Sequence, residues 1–257
     1  MKEEKLKVNE TRWKEAQIYE REVWIKRNQN NSLLRLVRKF VSYLIKKPDL
    51  FLISIRYSDF YCGDDSNLWW LKQFDKYKVL PKYIERALEV GCGPFTNMRL
   101  ISKCSKINEI VCSDPSIELY KTFKLTWLVR QIKKNKIKVS DDKCENLKYP
   151  DKYFDLVVCI NVLDHVQDAI QCLKEIDRVI KIGGFIILGQ DLSNKEDIEK
   201  IMKTKDEIGH PIKINHILLD DYFKQTYKNC FKRVLPRDKG RDPKSHYGTY
   251  IFIGQKN

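Results

Sequence analysis

From residue 86 onward the chain alternates short apolar runs with amphipathic stretches, and this pattern restricts the possible folds more than any other feature. The runs Ala87–Val90, Glu109–Ser113, Ile137–Val139, Leu156–Ile160 and Phe185–Gly189 predict strands. The stretches Asn97–Cys104, Ile117–Ile132 and Gln167–Ile180 predict helices between them. Strands that are apolar on both faces and connected through helices belong in a parallel sheet covered on both sides. Two later runs, Phe231–Leu235 and Tyr247–Ile253, are separated only by the polar loop Pro236–Ser245. A connection without a helix joins antiparallel neighbours. The expected architecture is α/β: a doubly wound, mostly parallel seven-stranded sheet ending in an antiparallel hairpin, with an N-terminal helical extension.

A chain of 257 residues holds one large domain plus such an extension. The change of pattern divides it into residues 1–80, a helical extension or lid, and residues 81–257, the sheet domain. Within the extension, Leu33, Leu36, Val37, Phe40, Val41 and Leu44 recur at helical spacing, and Pro48 ends that helix. A loop over Ser58–Asn67 leads to a second helix over Leu68–Tyr77. A basic amphipathic helix can rest on an anionic membrane surface or pack its apolar stripe on the main domain, and packing is the commoner use. Arg35, Arg38, Lys39, Lys46, Lys47 and Pro48 interrupt the most apolar early stretch, which excludes a spanning helix there. The start is polar and no apolar signal segment follows it, so the cytoplasm is the expected location.

The net charge of +14 suits anionic partners, such as phosphorylated small molecules or nucleic acid. The lysines are spread along the chain, however, as on solvated faces. Eight cysteines occur without a C-x-x-C pair, so no zinc or other metal site is expected. Cys112 and Cys159 fall within strand runs, where a thiol packs as a small hydrophobe.

The strongest local signal is Ala87-Leu-Glu-Val-Gly-Cys-Gly-Pro-Phe-Thr96, a strand entering a glycine turn and then a helix. Gly91 and Gly93 allow a tight turn and close approach of a ligand. Glu89 puts a carboxylate near the end of the first strand, where ligands of open α/β sheets bind. A carboxylate there suits a cationic ligand better than a pyrophosphate, and Thr96 replaces the third glycine of a dinucleotide loop. Asp114 ends the second strand at the spacing expected of a ribose-binding acid, and it can also cap the helix that Pro115 begins.

Leu88-Glu-Val-Gly-Cys-Gly-Pro94, Asp114, the segment Asn146–Val166 and Lys181-Ile-Gly-Gly-Phe-Ile-Ile187 together resemble the successive motifs of class I methyltransferases of the methyltransferase type 11 kind. The resemblance covers roughly residues 80–192 and implies S-adenosyl-L-methionine as cofactor. It implies that Glu89, Gly91, Cys92 and Gly93 contact the methionine part. Asp114 and Pro115 would lie at the ribose, Cys144, Glu145 and Asn146 beside the adenine, and Asn161 along the pocket. Two departures stand out: Phe95 replaces a motif glycine, and Lys143 precedes the Cys144-Glu145 pair where an acidic or polar residue is frequent.

Asp164 and His165 follow the fourth strand, where catalytic groups of such sheets gather. A histidine there can take a proton from a hydroxyl acceptor, or serve as a structural polar residue of the turn. Further candidates are Asp191, His210, His216, Tyr222, His246 and Tyr247, while Trp69, Trp70 and Tyr77 read as core or lid residues. The segment Ile160-Asn-Val-Leu-Asp164 lacks the Pro-Pro-Tyr box of exocyclic-amine nucleic-acid methyltransferases, and no Pro-Cys nucleophile is present. A small-molecule acceptor is therefore expected, with RNA or another nucleic acid as the alternative. The opening Arg12–Trp24 and the segment Gly91–Arg99 resemble methyltransferases of bacterial capsule and surface-glycan loci. That resemblance implies O-methylation of a small anionic acceptor, such as a sugar or a nucleotide-linked or phosphorylated precursor.

Overall fold

The computed structural model describes residues 6–29, 41, 45, 66–124, 126–193, 206–241 and 248–257. Apart from Val41, the helix expected over Leu33–Leu44 lies outside the described residues. So do most of the Ser58–Asn67 loop, His246 and Tyr247.

The elements in chain order are α1 (Glu10–Gln29), α2 (Ser66–Gln73), β1 (Tyr83–Val90), α3 (Met98–Ile101), β2 (Lys106–Ser113), α4 (Ile117–Lys121), α5 (Trp127–Lys133), β3 (Lys138–Ser140), β4 (Phe154–Ile160), α6 (Ala169–Val179), β5 (Ile180–Asp191), α7 (Asp206–Gly209), α8 (His216–Thr226), β6 (Tyr227–Pro236) and β7 (Gly248–Lys256). The seven strands form one sheet in the order β3-β2-β1-β4-β5-β7-β6. Strands β1 to β5 pair in parallel, and β7 runs antiparallel between β5 and β6. This is the expected mixed sheet. The order reverses between β1 and β4, so a crevice opens at the carboxyl ends of those strands.

Alternation along the strands feeds two cores. Leu88, Val157, Ile186 and Phe252 face α6 and α8, packing on Leu173, Ile176, Leu219 and Phe223. Their neighbours Ala87, Val158, Ile187 and Ile253 face the other side, against Trp70, Phe74, Leu100 and Leu128. Trp70 presses on Gly189 so closely that a Cβ there would lie 2.7 Å from the indole, which confirms a core role for that tryptophan. β6 is an edge strand whose exposed Lys228, Lys232 and Arg233 discourage pairing with another chain.

Two helices differ from expectation. The stretch Ile117–Ile132 is broken after Lys121, because Thr126 adopts an extended conformation and its side chain caps α5 by accepting from the Val129 N–H. The helix expected over Leu68–Tyr77 ends at Gln73, and Asp75, Lys76 and Tyr77 take positive φ in the turn beyond.

The N-terminal segment is sewn onto the sheet domain. Leu6 is buried in the α6-side core, and its carbonyl accepts from the Ala169 N–H. The Val8 N–H donates to the Gln167 carbonyl, and Lys7 bridges Asp168. From this anchor α1 crosses the carboxyl ends of the strands and meets α7, where Arg12 donates to the Ile208 carbonyl at 3.0 Å. Among the described residues no helix is long and apolar enough to cross a membrane.

Candidate active site

The crevice between β1 and β4 opens into a cavity. Of the expected site residues, Gly91, Asp114, Pro115, Cys144, Glu145, Asn161 and His165 line it, together with Val162 and Val166. Trp13, Gln17 and Glu20 of α1 complete the wall.

The glycine turn leaves β1 with φ of +58° at Gly91 and +55° at Gly93. A Cβ on Gly91 would come within 2.6 Å of Val162 Cγ2, whereas one on Gly93 would meet nothing within 4 Å. Only glycine enters this conformation without strain. Gly91 therefore lets β1 and the turn after β4 approach, and Gly93 leaves its side open. Asp114 holds the turn from β2: its carboxylate accepts from the Gly93 N–H at 3.0 Å and the Ser116 N–H at 2.8 Å. Burial pushes its carboxyl up to about 7, against the lowering effect of those two bonds. Asp114 lines the cavity, but it is not the helix cap expected before Pro115: α4 begins at Ile117 with Ser116 at its cap position, and Asp114 closes the turn before it.

Glu89 is used differently from expectation. It is 1% exposed and does not line the cavity. Its carboxylate accepts from the Thr96 hydroxyl, from the Asn97 backbone and side chain at 3.0 Å each, and from the Met98 N–H at 3.2 Å. Its acid thus satisfies the otherwise unpaired donors at the start of α3. Burial nevertheless raises its pKa against those bonds. Cys92 points into the core beside Cys112, and its N–H bonds the Ser113 carbonyl. Asn146 closes a turn on the Lys143 carbonyl, and neither residue lines the cavity.

On the far wall Cys144 is disulfide-bonded to Cys172 of α6. Glu145 accepts from the Gln167 N–H at 2.6 Å and the Asp168 N–H at 3.3 Å. Asn161, at φ +59°, accepts from the Asp191 N–H at 3.1 Å. The turn after β4 brings Asp164 and His165 next to His210, from the loop after α7. Asp164 Oδ2 lies 2.8 Å from His210 Nδ1, and Oδ1 lies 3.7 Å from His165 Nε2. His165 Nδ1 is 3.3 Å from Glu20 Oε2, near enough for an ion pair though not aligned as a hydrogen bond. Burial disfavours charge on both residues. For His165 the carboxylates of Glu20 and Asp164 and the Gly209 carbonyl outweigh it and raise the pKa. For Asp164 the two imidazoles outweigh it and hold the carboxyl well below its usual range. The His165 carbonyl is fixed by Trp13 Nε1 at 3.1 Å and Gln17 Nε2 at 3.2 Å, and Lys143 Nζ sits 3.9 Å above the Trp13 ring.

Other candidates lie elsewhere. Tyr222 and Tyr227 both donate to Asp177, and Asp191 is buried against Arg241 and Thr249. His216 begins α8. The sequence reading missed the α1 contribution, although Trp13, Gln17, Glu20 and Trp24 recur at the spacing of one helical face.

Residues 88–188 match the family model described as a methyltransferase domain. The chain is 33% identical over 172 residues to an uncharacterized protein of Methanocaldococcus jannaschii, covering 61% of this chain and 64% of that protein. It is 35% identical over 109 residues to an uncharacterized methyltransferase of Schizosaccharomyces pombe, covering 41% of this chain and 39% of the relative. The matches thus span less than two thirds of either relative's length. The fold is shared with the N-methyltransferase NodS of Bradyrhizobium japonicum, solved in complex with S-adenosyl-L-homocysteine. The TM-score is 0.54 at 13% identity, covering 78% of this chain and 90% of that one. The chain thus combines this strand order, the glycine turn and the acid at the tip of β2 with a match, over residues 88–188, to a methyltransferase domain.

Proposed function

We propose that the protein transfers a methyl group from S-adenosylmethionine to a hydroxyl of a small molecule bound beneath α1. The observation that carries this reading is the cavity at the strand-order reversal. Its wall brings together the glycine turn, three carboxylates and His165. The cofactor fits that lining, because its amino group and sulfonium are cationic and the acidic side chains of Glu145 and Glu20 face it. Asp114 would hold the ribose, the Cys144-Glu145 wall the adenine side, and the turn at Gly91 and Gly93 the methionine part. When bound, the cofactor supplies an electrophilic methyl group. The chain's own contribution is alignment, which in favourable cases is worth about 7–11 kcal/mol.

Asp164 and His165 are assigned to the acceptor. Neutral His165 would take the acceptor's hydroxyl proton as the oxygen takes the methyl group, and the carboxylates around the imidazole would stabilise the imidazolium so formed. For the acceptor itself, the net charge of +14 favours an anionic sugar or phosphorylated precursor of the capsular kind. Among the described residues the cavity lining contains neither lysine nor arginine. An anionic substituent would therefore sit toward the basic exterior, with the hydroxyl inside. The charge also keeps an RNA acceptor as the second reading, and its binding would weaken steeply with salt. In both cases α1 acts as the roof expected of the N-terminal extension.

A methyl-transfer screen of sugar phosphates, nucleotide sugars and RNA, read by mass spectrometry, tests the assignment. With an accepted substrate, His165→Ala should lower turnover at least tenfold and leave S-adenosylhomocysteine affinity within about threefold, since a positioned proton-handling group contributes about 10²–10⁴ in rate. Wild-type turnover in that variant would remove His165 from the chemistry.

A further inference from the structure

We propose that Asp164, His165 and His210 form a binding site for a divalent transition-metal ion at the cavity wall. The three residues offer one carboxylate oxygen and two imidazole nitrogens that all lie within 4.8 Å of one another. Two metal–ligand bonds of about 2.1 Å span at most about 4.2 Å, so the trio needs to close by roughly half an ångström. The loop bearing His210 is already tied to the partner turn, because the Ile212 N–H donates to the Asp164 carbonyl at 3.3 Å.

Two independent observations point to a cation at this place. Asp164 is 4% exposed, and its Oδ1 has no hydrogen-bond partner although it faces His165 Nε2. A buried carboxylate oxygen without a hydrogen-bond donor needs a positive charge beside it, which a metal ion held by His165 Nε2 and His210 would supply in place of an imidazole proton. The second observation is the orientation of His165. Its Nδ1 faces Glu20, which leaves Nε2 to the cluster. Metal-bound imidazoles usually point their other nitrogen at a carboxylate in this way, which fixes the ring and strengthens it as a donor. The backbone of His165 is held in addition by Trp13 and Gln17. Arg241, whose charge opposes a cation near His165, is neutralised by Asp191 at 2.7 Å.

Two imidazoles and one carboxylate suit zinc, iron(II), cobalt or manganese better than magnesium or calcium, which prefer oxygen donors. Three protein ligands leave coordination positions open, as in catalytic metal sites. His165 lines the cavity while Asp164 and His210 lie behind it, so an ion there would hold and polarise an acceptor oxygen only through an open position turned toward the cavity. This last role rests on the methyl-transfer reading, whereas the metal binding does not. The residues escape a sequence search because His210 is 45 positions beyond His165, far outside the short spacings of zinc motifs.

The test uses the full chain without a histidine tag, stripped with a chelator and titrated with Co²⁺ by visible absorption and with Zn²⁺ by calorimetry. One ion per chain is expected. His210→Gln and Asp164→Asn should each weaken binding at least tenfold, and Glu20→Gln by about 10–100-fold. His216→Gln serves as the control and should bind as the wild type does. Thermal melts of each variant show whether a loss of binding merely reports unfolding, and the partly exposed His210 provides the variant least disturbing to the core. Absence of stoichiometric binding, or binding unchanged in folded His210→Gln and Asp164→Asn, overturns the proposal. S-adenosylhomocysteine affinity is measured in the same samples. Metal binding without cofactor binding would sink the methyl-transfer reading alone, and the converse would sink the metal site alone.

Discussion

Replacing Asp114 with Asn should alter the pH dependence of stability in a direction set by the burial of that carboxyl. In the folded protein burial raises its pKa to about 7, while in the unfolded chain it lies near 3.9. A raised acid stabilises the fold fully below the unfolded value, and that contribution is lost as pH climbs through the folded value. At pH 5 the unfolded carboxyl has been ionised for about one unit while the native one is still neutral. At pH 8 the loss has run for about three units. The wild type therefore loses about 2–3 kcal/mol from this group between pH 5 and pH 8, at about 1.4 kcal/mol per unit. Asn does not titrate, so the variant escapes this loss, while the other groups titrate in both proteins and largely cancel in the difference. The hydrogen bond from Gly93 weakens in the variant at every pH, by about 1 kcal/mol. Asp114→Asn should thus be about as stable as the wild type at pH 5 and more stable by about 2–3 kcal/mol at pH 8. Urea unfolding at four pH values in that range reads the difference directly, without cofactor. Parallel profiles for the two proteins would show that Asp114 is not a raised acid, and the reasoning from burial would fail. The same variant should bind S-adenosylhomocysteine about 10–100-fold more weakly by calorimetry, the cost of losing a charged acceptor.

The two turn glycines should separate in a pair of substitutions. Gly91→Ala meets both a positive φ and the Val162 side chain and should cost about 2–4 kcal/mol in urea melts. Gly93→Ala meets only the φ and should cost about 1–2 kcal/mol. Equal costs would mean that the β1 turn and Val162 are not in contact. Cys172→Ser, or reduction of the wild type, opens a link across 28 residues and should lower stability by about 3–4 kcal/mol. Thermal melts with and without dithiothreitol check this, and insensitivity of the wild type would refute the link. Trp13→Phe removes the indole donor to His165. A loss of about 1 kcal/mol in stability is expected, with a fall in turnover in whichever methyl-transfer assay the screen provides.

Much of the sheet was legible because its strands are buried on both faces. Leu156–Ile160 is apolar without interruption, and so is the centre of Phe185–Gly189. The residues at the strand tips were legible for the same reason: a strand end followed by a glycine or an acid marks the ligand edge of the sheet. Glu89 was misread because a carboxylate one residue before a strand end has two possible employers. The bare backbone donors of α3, from Asn97 and Met98, lie closer than the cavity does. The break before α5 was hidden by the apolar residues flanking it, although Thr126 before Trp127 is an ordinary cap signal. Glu20, Gln17 and Trp13 were illegible as site residues because they reach the cavity only through the tertiary docking of α1, more than a hundred residues from the turn they touch.

That docking has a kinetic consequence. Leu6 to Val8 are fastened to the same loop that leads from His165 into α6. Under the methyl-transfer reading, a substrate that passed α1 would loosen the peptide tied to the loop after His165. Admission and readiness would then be coupled, with the chamber competent when α1 is seated and disarmed when it is lifted. In enzymes built this way the slow event of each cycle is commonly departure of the spent molecules rather than the bond exchange itself.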